Sequence, residues 1–78
     1  MAAKTTGRYT IGIDVGGTKI LAGLFDQSLK LKAKWKIKTK ADRGGDVVVD
    51  RIVRAARELV EDQGLRMTDI RAIGLGVP

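Results

Sequence analysis

From Lys30 to Lys38 every even-numbered residue is a lysine, and Leu31, Ala33, Trp35 and Ile37 fill the odd positions between them. A strict period of two is the repeat of an extended strand, whose successive side chains point to opposite faces. The segment is therefore predicted to be a strand with one wet face and one apolar face. A lysine row also suits a sheet edge, because it discourages pairing with another chain. A chain that contains such a strand needs a sheet for it to join and an apolar layer beneath it. With 78 residues there is room for one small domain, and a domain of that size buries only about 60% of its extended surface. Cysteine and histidine are both absent, so no disulfide or Cys/His metal site braces the small core.

The lysine row also accounts for the charge. Seven of the 15 basic residues and one of the 9 acids lie between Lys30 and Arg43, so this segment carries the whole net charge of +6. With 44% hydrophobic residues, 31% charged residues and one proline, the composition is that of a folded chain rather than a disordered one. No run approaches the ~20 apolar residues of a membrane span. The first eight residues lack the apolar stretch of a secretion signal. The cytoplasm is the expected compartment, with no membrane partner, and residues 1–7 are expected to form a disordered tail.

The remaining elements follow from pattern. Residues 8–14 place Tyr9, Ile11 and Ile13 on one face and read as a buried strand. Val15-Gly16-Gly17-Thr18 interrupts it with paired glycines, which can take the positive φ of a tight hairpin. The second strand, Lys19 to Asp26, is apolar on both faces and is expected to be covered on both. After the lysine strand, a linker from Thr39 to Gly45 leads to Asp46, the expected N-cap of a helix over 47–63. In that helix Val48, Ile52, Ala55, Ala56, Leu59 and Val60 recur at helical spacing, and Asp50 and Arg54 form an i,i+4 pair. Gly64 is the expected stop. The chain closes with a strand from Ile70 to Pro78, in which Ala72, Gly74 and Gly76 leave one face almost without side chains. Such a bare backbone predicts close approach by the helix, another element or a ligand.

The expected fold class is thus α/β, in the order β-β-β-α-β. The first three strands form an antiparallel meander, and the helix is a crossover that brings the last strand parallel to the first. One helix covers one face of a sheet. The other face, bearing Leu21 and Phe25, is expected to stay open and to make the chain a homo-oligomer.

Chemistry concentrates in Asp14-Val-Gly-Gly-Thr-Lys19. Phosphate oxygens are best held by main-chain N–H groups converging from a turn, and Gly16 and Gly17 let that main chain approach. Thr18 adds a hydroxyl donor and Lys19 a counter-charge. Asp14, at the end of its strand, can hold Mg²⁺ directly or through water. Two other phosphate motifs do not fit. A P-loop requires Gly-Lys-Ser/Thr before a helix, whereas here Thr precedes Lys and a strand follows. The dinucleotide G-x-G-x-x-G turn must also open a helix, and this turn joins two strands.

The segment Asp14-Val-Gly-Gly-Thr-Lys19 between apolar strands, followed by a helix and Ile73-Gly-Leu-Gly-Val-Pro78, resembles the start of the ROK family of bacterial sugar kinases and regulators, closest to its glucokinase-like branch. The resemblance spans Arg8 to Pro78. It implies a partial ribonuclease H-like, actin-like ATPase fold, with residues 8–78 the N-terminal part of an incomplete nucleotide-binding domain. It implies ATP and Mg²⁺ as cofactors and a hexose as substrate. Asp14, Gly16, Gly17, Thr18 and Lys19 would form the first phosphate loop, with Asp14 at the metal, and Gly76 and Pro78 would border the substrate cleft. The family's catalytic aspartate would lie beyond Pro78, and its Cys/His zinc motif is expected only in a full-length member. One phosphate hairpin does not by itself position donor, metal and acceptor, so the isolated chain is expected to be inactive.

Two alternatives start from the same residues. A sugar-responsive regulator of the same family could retain the loop, but only seven residues precede the first strand, too few for a DNA-binding helix-turn-helix. The lysine row suggests a nucleic-acid-binding module. Trp35, however, lies at an odd position and points away from the lysines, whereas single-strand binders put stacking rings and cations on one surface. No nucleic-acid partner is expected.

Overall fold

The computed structural model describes residues 7–76. Strands β1 (Tyr9–Val15), β2 (Lys19–Phe25) and β3 (Leu31–Lys38) come first, then helix α1 (Gly45–Asp62) and strand β4 (Ile70–Gly76). Short 3₁₀ turns at Ala41–Arg43 and Met67–Asp69 lead into α1 and β4. The sheet order is β3-β2-β1-β4. β1 and β2, like β2 and β3, pair antiparallel, and β4 pairs parallel to β1. The meander and the crossover strand are therefore arranged as the sequence predicts. Most of the proposed N-terminal tail, residues 1–6, lies outside the described residues, as do Val77 and Pro78. At the boundary, Gly7 lies against β4, where an added Cβ would stand 2.6 Å from the Arg71 nitrogen. Arg8 N–H donates to the Asp69 carbonyl at 2.9 Å.

Register decides which side chains share a face. Ile13 pairs with Ala22 and Ala22 with Trp35, so Ile11, Ile13, Val15, Ile20, Ala22 and Leu24 line one face, with Ala33, Trp35 and Ile37 toward the β3 edge. Onto this face α1 lays Ala55, Ala56, Leu59 and Val60, all buried. Two adjacent alanines let the helix axis come close to the sheet, and Leu59 and Val60 fill the space between. Burying a side chain such as Leu59 fully is worth roughly 1.5–3 kcal/mol. The helix packs over β2 and β3. Ile73 and Leu75 of β4 lie on the same side of the sheet, beyond its reach, and are 48% and 56% exposed.

The opposite face has no layer over it among the described residues. β2, expected to be covered on both faces, is covered on one: Leu21 is 37% exposed. No helix of the described residues is long and apolar enough to cross a membrane.

The turns show how polar groups shape the chain. The Asp26 carboxylate accepts N–H bonds from Ser28 at 2.8 Å and Lys30 at 3.0 Å, which folds the β2–β3 corner over itself. Leu29 is held there at φ 62°, an uncommon angle for a residue with a side chain. The helix does not start at an Asp46 cap. Gly44, at φ 101°, is the N-cap, and Asp46 lies in the first turn, where its charge faces the positive end of the helix dipole. Gly44 fits that cap because it adopts a φ that a β-carbon opposes. At the other end Gly64 takes φ 68°. Its N–H bonds the Glu61 carbonyl at 3.0 Å, and Leu65 N–H bonds the Val60 carbonyl at 2.9 Å. These are the two bonds of a Schellman stop, as the glycine predicts.

Arg54 does not pair with Asp50. Its Nε donates to Glu58 Oε2 at 3.3 Å, and the other Glu58 oxygen accepts the Trp35 indole N–H at 3.1 Å. Glu58 therefore ties α1 to the edge strand, and Trp35 is half-buried on the helix side. The Trp35 hydrogen bond is the main cause holding the Glu58 carboxyl below its ordinary value of 4.5, aided by Arg54 and Arg51 and opposed by partial burial. A carboxyl depressed in the folded state stabilises the fold above its unfolded value and loses that contribution as pH falls through the folded one. Between pH 6 and 3, the urea midpoint of the wild type is expected to fall more steeply than that of Glu58→Gln, whose side chain does not titrate. Parallel slopes would show that the charge of Glu58 contributes nothing to stability.

Candidate functional site

β1 ends at Val15 and β2 begins at Lys19, so Gly16, Gly17 and Thr18 form the turn between them. Gly16 N–H closes it on the Lys19 carbonyl at 2.8 Å. Neither turn glycine uses positive φ; among the described residues that conformation belongs to Leu29, Lys40, Gly44 and Gly64. The glycines matter here for their size. A Cβ on Gly16 would stand 3.1 Å from the Lys19 carbonyl oxygen, whereas a Cβ on Gly17 would meet nothing within 4 Å. Gly17, Thr18 and Lys19 are all exposed. Among the described residues, Gly17 N–H has no backbone acceptor. The tip of the turn thus presents main chain to solvent with no side chain in front of it.

The inner side of the turn is tied down by a residue that sequence reasoning assigned to a linker. Thr39 Oγ1 donates to the Gly16 carbonyl at 2.8 Å, and Thr39 N–H donates to the Thr18 carbonyl at 2.9 Å. A signal for it was present: Thr39 continues the odd-numbered, inward-facing series Ala33, Trp35, Ile37 by one more step.

Asp14 stands two residues before Gly16, exposed, on the uncovered face of the sheet. Among the described residues its carboxylate has no ion-pair partner, and it lies on the rim of a concavity of about 720 Å³. Thr10, Gly12, Leu21, Phe25 and Gly74 supply much of the lining, and Lys34 reaches it from β3. Gly76 is the cross-strand partner of Asp14, which brings the predicted cleft-edge residue beside the predicted metal residue. Pro78, the other predicted cleft residue, lies outside the described residues. The bare face of β4 is not closely approached: a Cβ on Gly74 would meet nothing within 4 Å, and one on Gly76 only the Ile13 carbonyl at 3.7 Å. The glycines instead form part of the floor of the concavity.

All five loop residues therefore gather at one end of the sheet, contiguous with the concavity that Asp14 borders. No group of three acidic, Cys or His side chains that could hold a metal occurs among the described residues. One free carboxylate suits Mg²⁺, which keeps waters and takes phosphate oxygens alongside one or two carboxylates. Lys34, Lys36 and Lys38 lie on the open face and Trp35 on the other; at the start of β3 a register shift opposite Leu24 and Phe25 breaks the expected alternation, placing Leu31 on the open face beside Gly23 and Phe25 and Lys32 with Tyr9, Leu24 and Leu65.

Size and exposure at the two glycines make a test. Gly17→Ala is expected to change stability by less than about 0.5 kcal/mol, since its Cβ enters open space. Gly16→Ala is expected to cost more, because the turn must widen against the Lys19 carbonyl. Equal urea midpoints for the two variants would contradict this geometry.

Comparison with known proteins finds that residues 10–78 match the model of the ROK family. The chain is 31% identical over 71 residues to a glucokinase of Halalkalibacterium halodurans, a match covering 91% of this chain and 22% of that protein. Its structure resembles the crystal structure of a ROK family glucokinase from Streptomyces griseus in complex with glucose and AMPPNP, with a TM-score of 0.72 and 33% identity over 88% of this chain and 20% of the other. The chain thus spans about one fifth of the length of these relatives, and its sheet and helix correspond to part of an actin-like ATPase fold.

Proposed function

The chain belongs to the ROK family, and we propose that it is the phosphate-loop part of an ATP- and Mg²⁺-dependent hexose kinase, glucokinase-like, which transfers the γ-phosphoryl group to a sugar hydroxyl. The observation that carries this reading is the exposed Gly17–Lys19 tip of the turn, with open main chain at Gly17, next to the free carboxylate of Asp14. The glucokinase relatives, one of them in complex with glucose and AMPPNP, support the choice of nucleotide and hexose.

The roles follow from chemistry. Gly17 offers its amide where a side chain would obstruct an oxyanion, Thr18 offers a hydroxyl, and Lys19 offers positive charge. Asp14 would hold Mg²⁺, which when bound offsets the charge of the phosphates. Gly76 and Pro78 would lead to the sugar. Residues 8–78 make up one portion of the nucleotide-binding domain of a cytoplasmic enzyme. Positioning of all reactants carries phosphoryl transfer, so this portion alone binds without turning over.

Titrating Mg·AMPPNP into the ¹⁵N-labelled chain is expected to shift the amides of Gly16, Gly17, Thr18 and Lys19. Asp14→Asn is expected to weaken the Mg²⁺-dependent part of that binding by about tenfold or more, the scale of a lost charge-assisted contact. A coupled assay with ATP and glucose should show no turnover. Shifts confined to other parts of the sheet would sink the reading.

The open face also carries a proposal about assembly. Leu21, Phe25 and Leu31 expose apolar surface that the isolated chain is expected to cover by self-association. Sedimentation at tens of micromolar should show a concentration-dependent increase in mass, and a strict monomer would contradict it.

A further inference from the structure

Thr39 is the one polar side chain fully buried among the described residues, 1% exposed. It follows the inward-facing series of β3, whose other members are apolar, and packing there does not call for a hydroxyl. Both of its hydrogen bonds go to the turn: the hydroxyl to the Gly16 carbonyl at 2.8 Å and the N–H to the Thr18 carbonyl at 2.9 Å. The strand end that carries Thr39 is held in turn by the helix, because Arg51 Nε donates to the Lys38 carbonyl at 2.9 Å.

The consequence lies on the other side of each peptide. A trans peptide is planar, so its carbonyl and the N–H of the next residue point in opposite directions. No peptide bond among the described residues is cis. Drawing the Gly16 and Thr18 carbonyls onto Thr39 therefore turns the amides of Gly17 and Lys19 away from it. We infer that Thr39 is a positioning residue, which holds these two carbonyls inward so that the Gly17 and Lys19 amides face an incoming phosphoryl group. This inference rests on the phosphate-loop reading above. Thr39 touches no substrate; it acts through the turn.

Thr39→Val keeps the shape and the backbone N–H and removes the hydroxyl, and Thr39→Ser keeps the hydroxyl. Two measurements on the ¹⁵N-labelled chain separate the possibilities. Amide exchange at Gly16, whose N–H closes the turn, should quicken about fivefold or more in Thr39→Val relative to Ala22 and Leu24, and return to within about twofold of wild type in Thr39→Ser. Equal exchange in all three proteins overturns the clamp. The dissociation constant for Mg·AMPPNP, followed through the Gly17 and Lys19 amides, should rise about tenfold in Thr39→Val and stay within about twofold in Thr39→Ser. Should Thr39→Val not fold, Thr39→Ala takes its place in both comparisons. A wild type that binds and a hydroxyl-free variant that binds equally well overturn the role of Thr39 alone. A wild type whose turn amides do not respond to nucleotide overturns the phosphate-loop reading and, with it, the role of Thr39 toward phosphate.

Discussion

A single helix lies across the sheet, and its contact with one face governs everything else in the molecule. Ala55, Ala56, Leu59 and Val60 seal Ile11, Ile13, Ile20, Ala22 and Leu24, and the interior so formed is the one large apolar layer that a chain of this size can close. Because the helix is on that side, the residues facing the other way are left on the open face: Asp14 on β1, Leu21 and Phe25 on β2, Lys34 and Lys36 on β3 and the glycines of β4. The exposure of Asp14 is thus a consequence of core packing. A one-residue shift in the register of β1 would bury its carboxylate beneath the helix and expose Ile13.

The turn at the end of β1 depends on the same layer. Its outer surface is open because Gly16 and Gly17 have no side chains, and its inner surface is fixed because β3 ends in a buried threonine. β3 itself is anchored to the helix through the Trp35–Glu58 hydrogen bond and through Arg51 on the Lys38 carbonyl. Helix, edge strand and turn are linked in series, so the anion-facing backbone is supported from behind by groups that never meet the ligand. Buried hydrogen bonds between a hydroxyl and a carbonyl suit this task, since leaving either group unpaired costs about 1–3 kcal/mol.

The strands and the helix were legible because their signals are local. Alternation from Lys30 to Lys38 required an extended segment, the Val48 to Val60 spacing required a helix, and Gly64 marked its end. The errors came where a residue's role depends on a distant neighbour. Asp46 has the chemistry of an N-cap, but Gly44 adopts the capping position. Arg54 has acids four residues away on both sides, and it chose Glu58 because that carboxylate is already fixed by Trp35, 23 positions away in sequence. Local pattern alone places Thr39 in a linker, because its two partners, Gly16 and Thr18, are more than 20 residues upstream.

By itself the sequence determined which segments extend, which coil, and that Asp14 precedes a glycine turn suited to phosphate, since these follow from side-chain periodicity and from the absence of β-carbons. Only the tertiary structure decided that the β4 glycines form part of an open floor, that the turn glycines serve by size rather than by positive φ, and that Thr39 orients the turn. The physical reason is that periodicity assigns a residue to a face, whereas register and helix placement decide which face is covered and which atoms meet across the sheet.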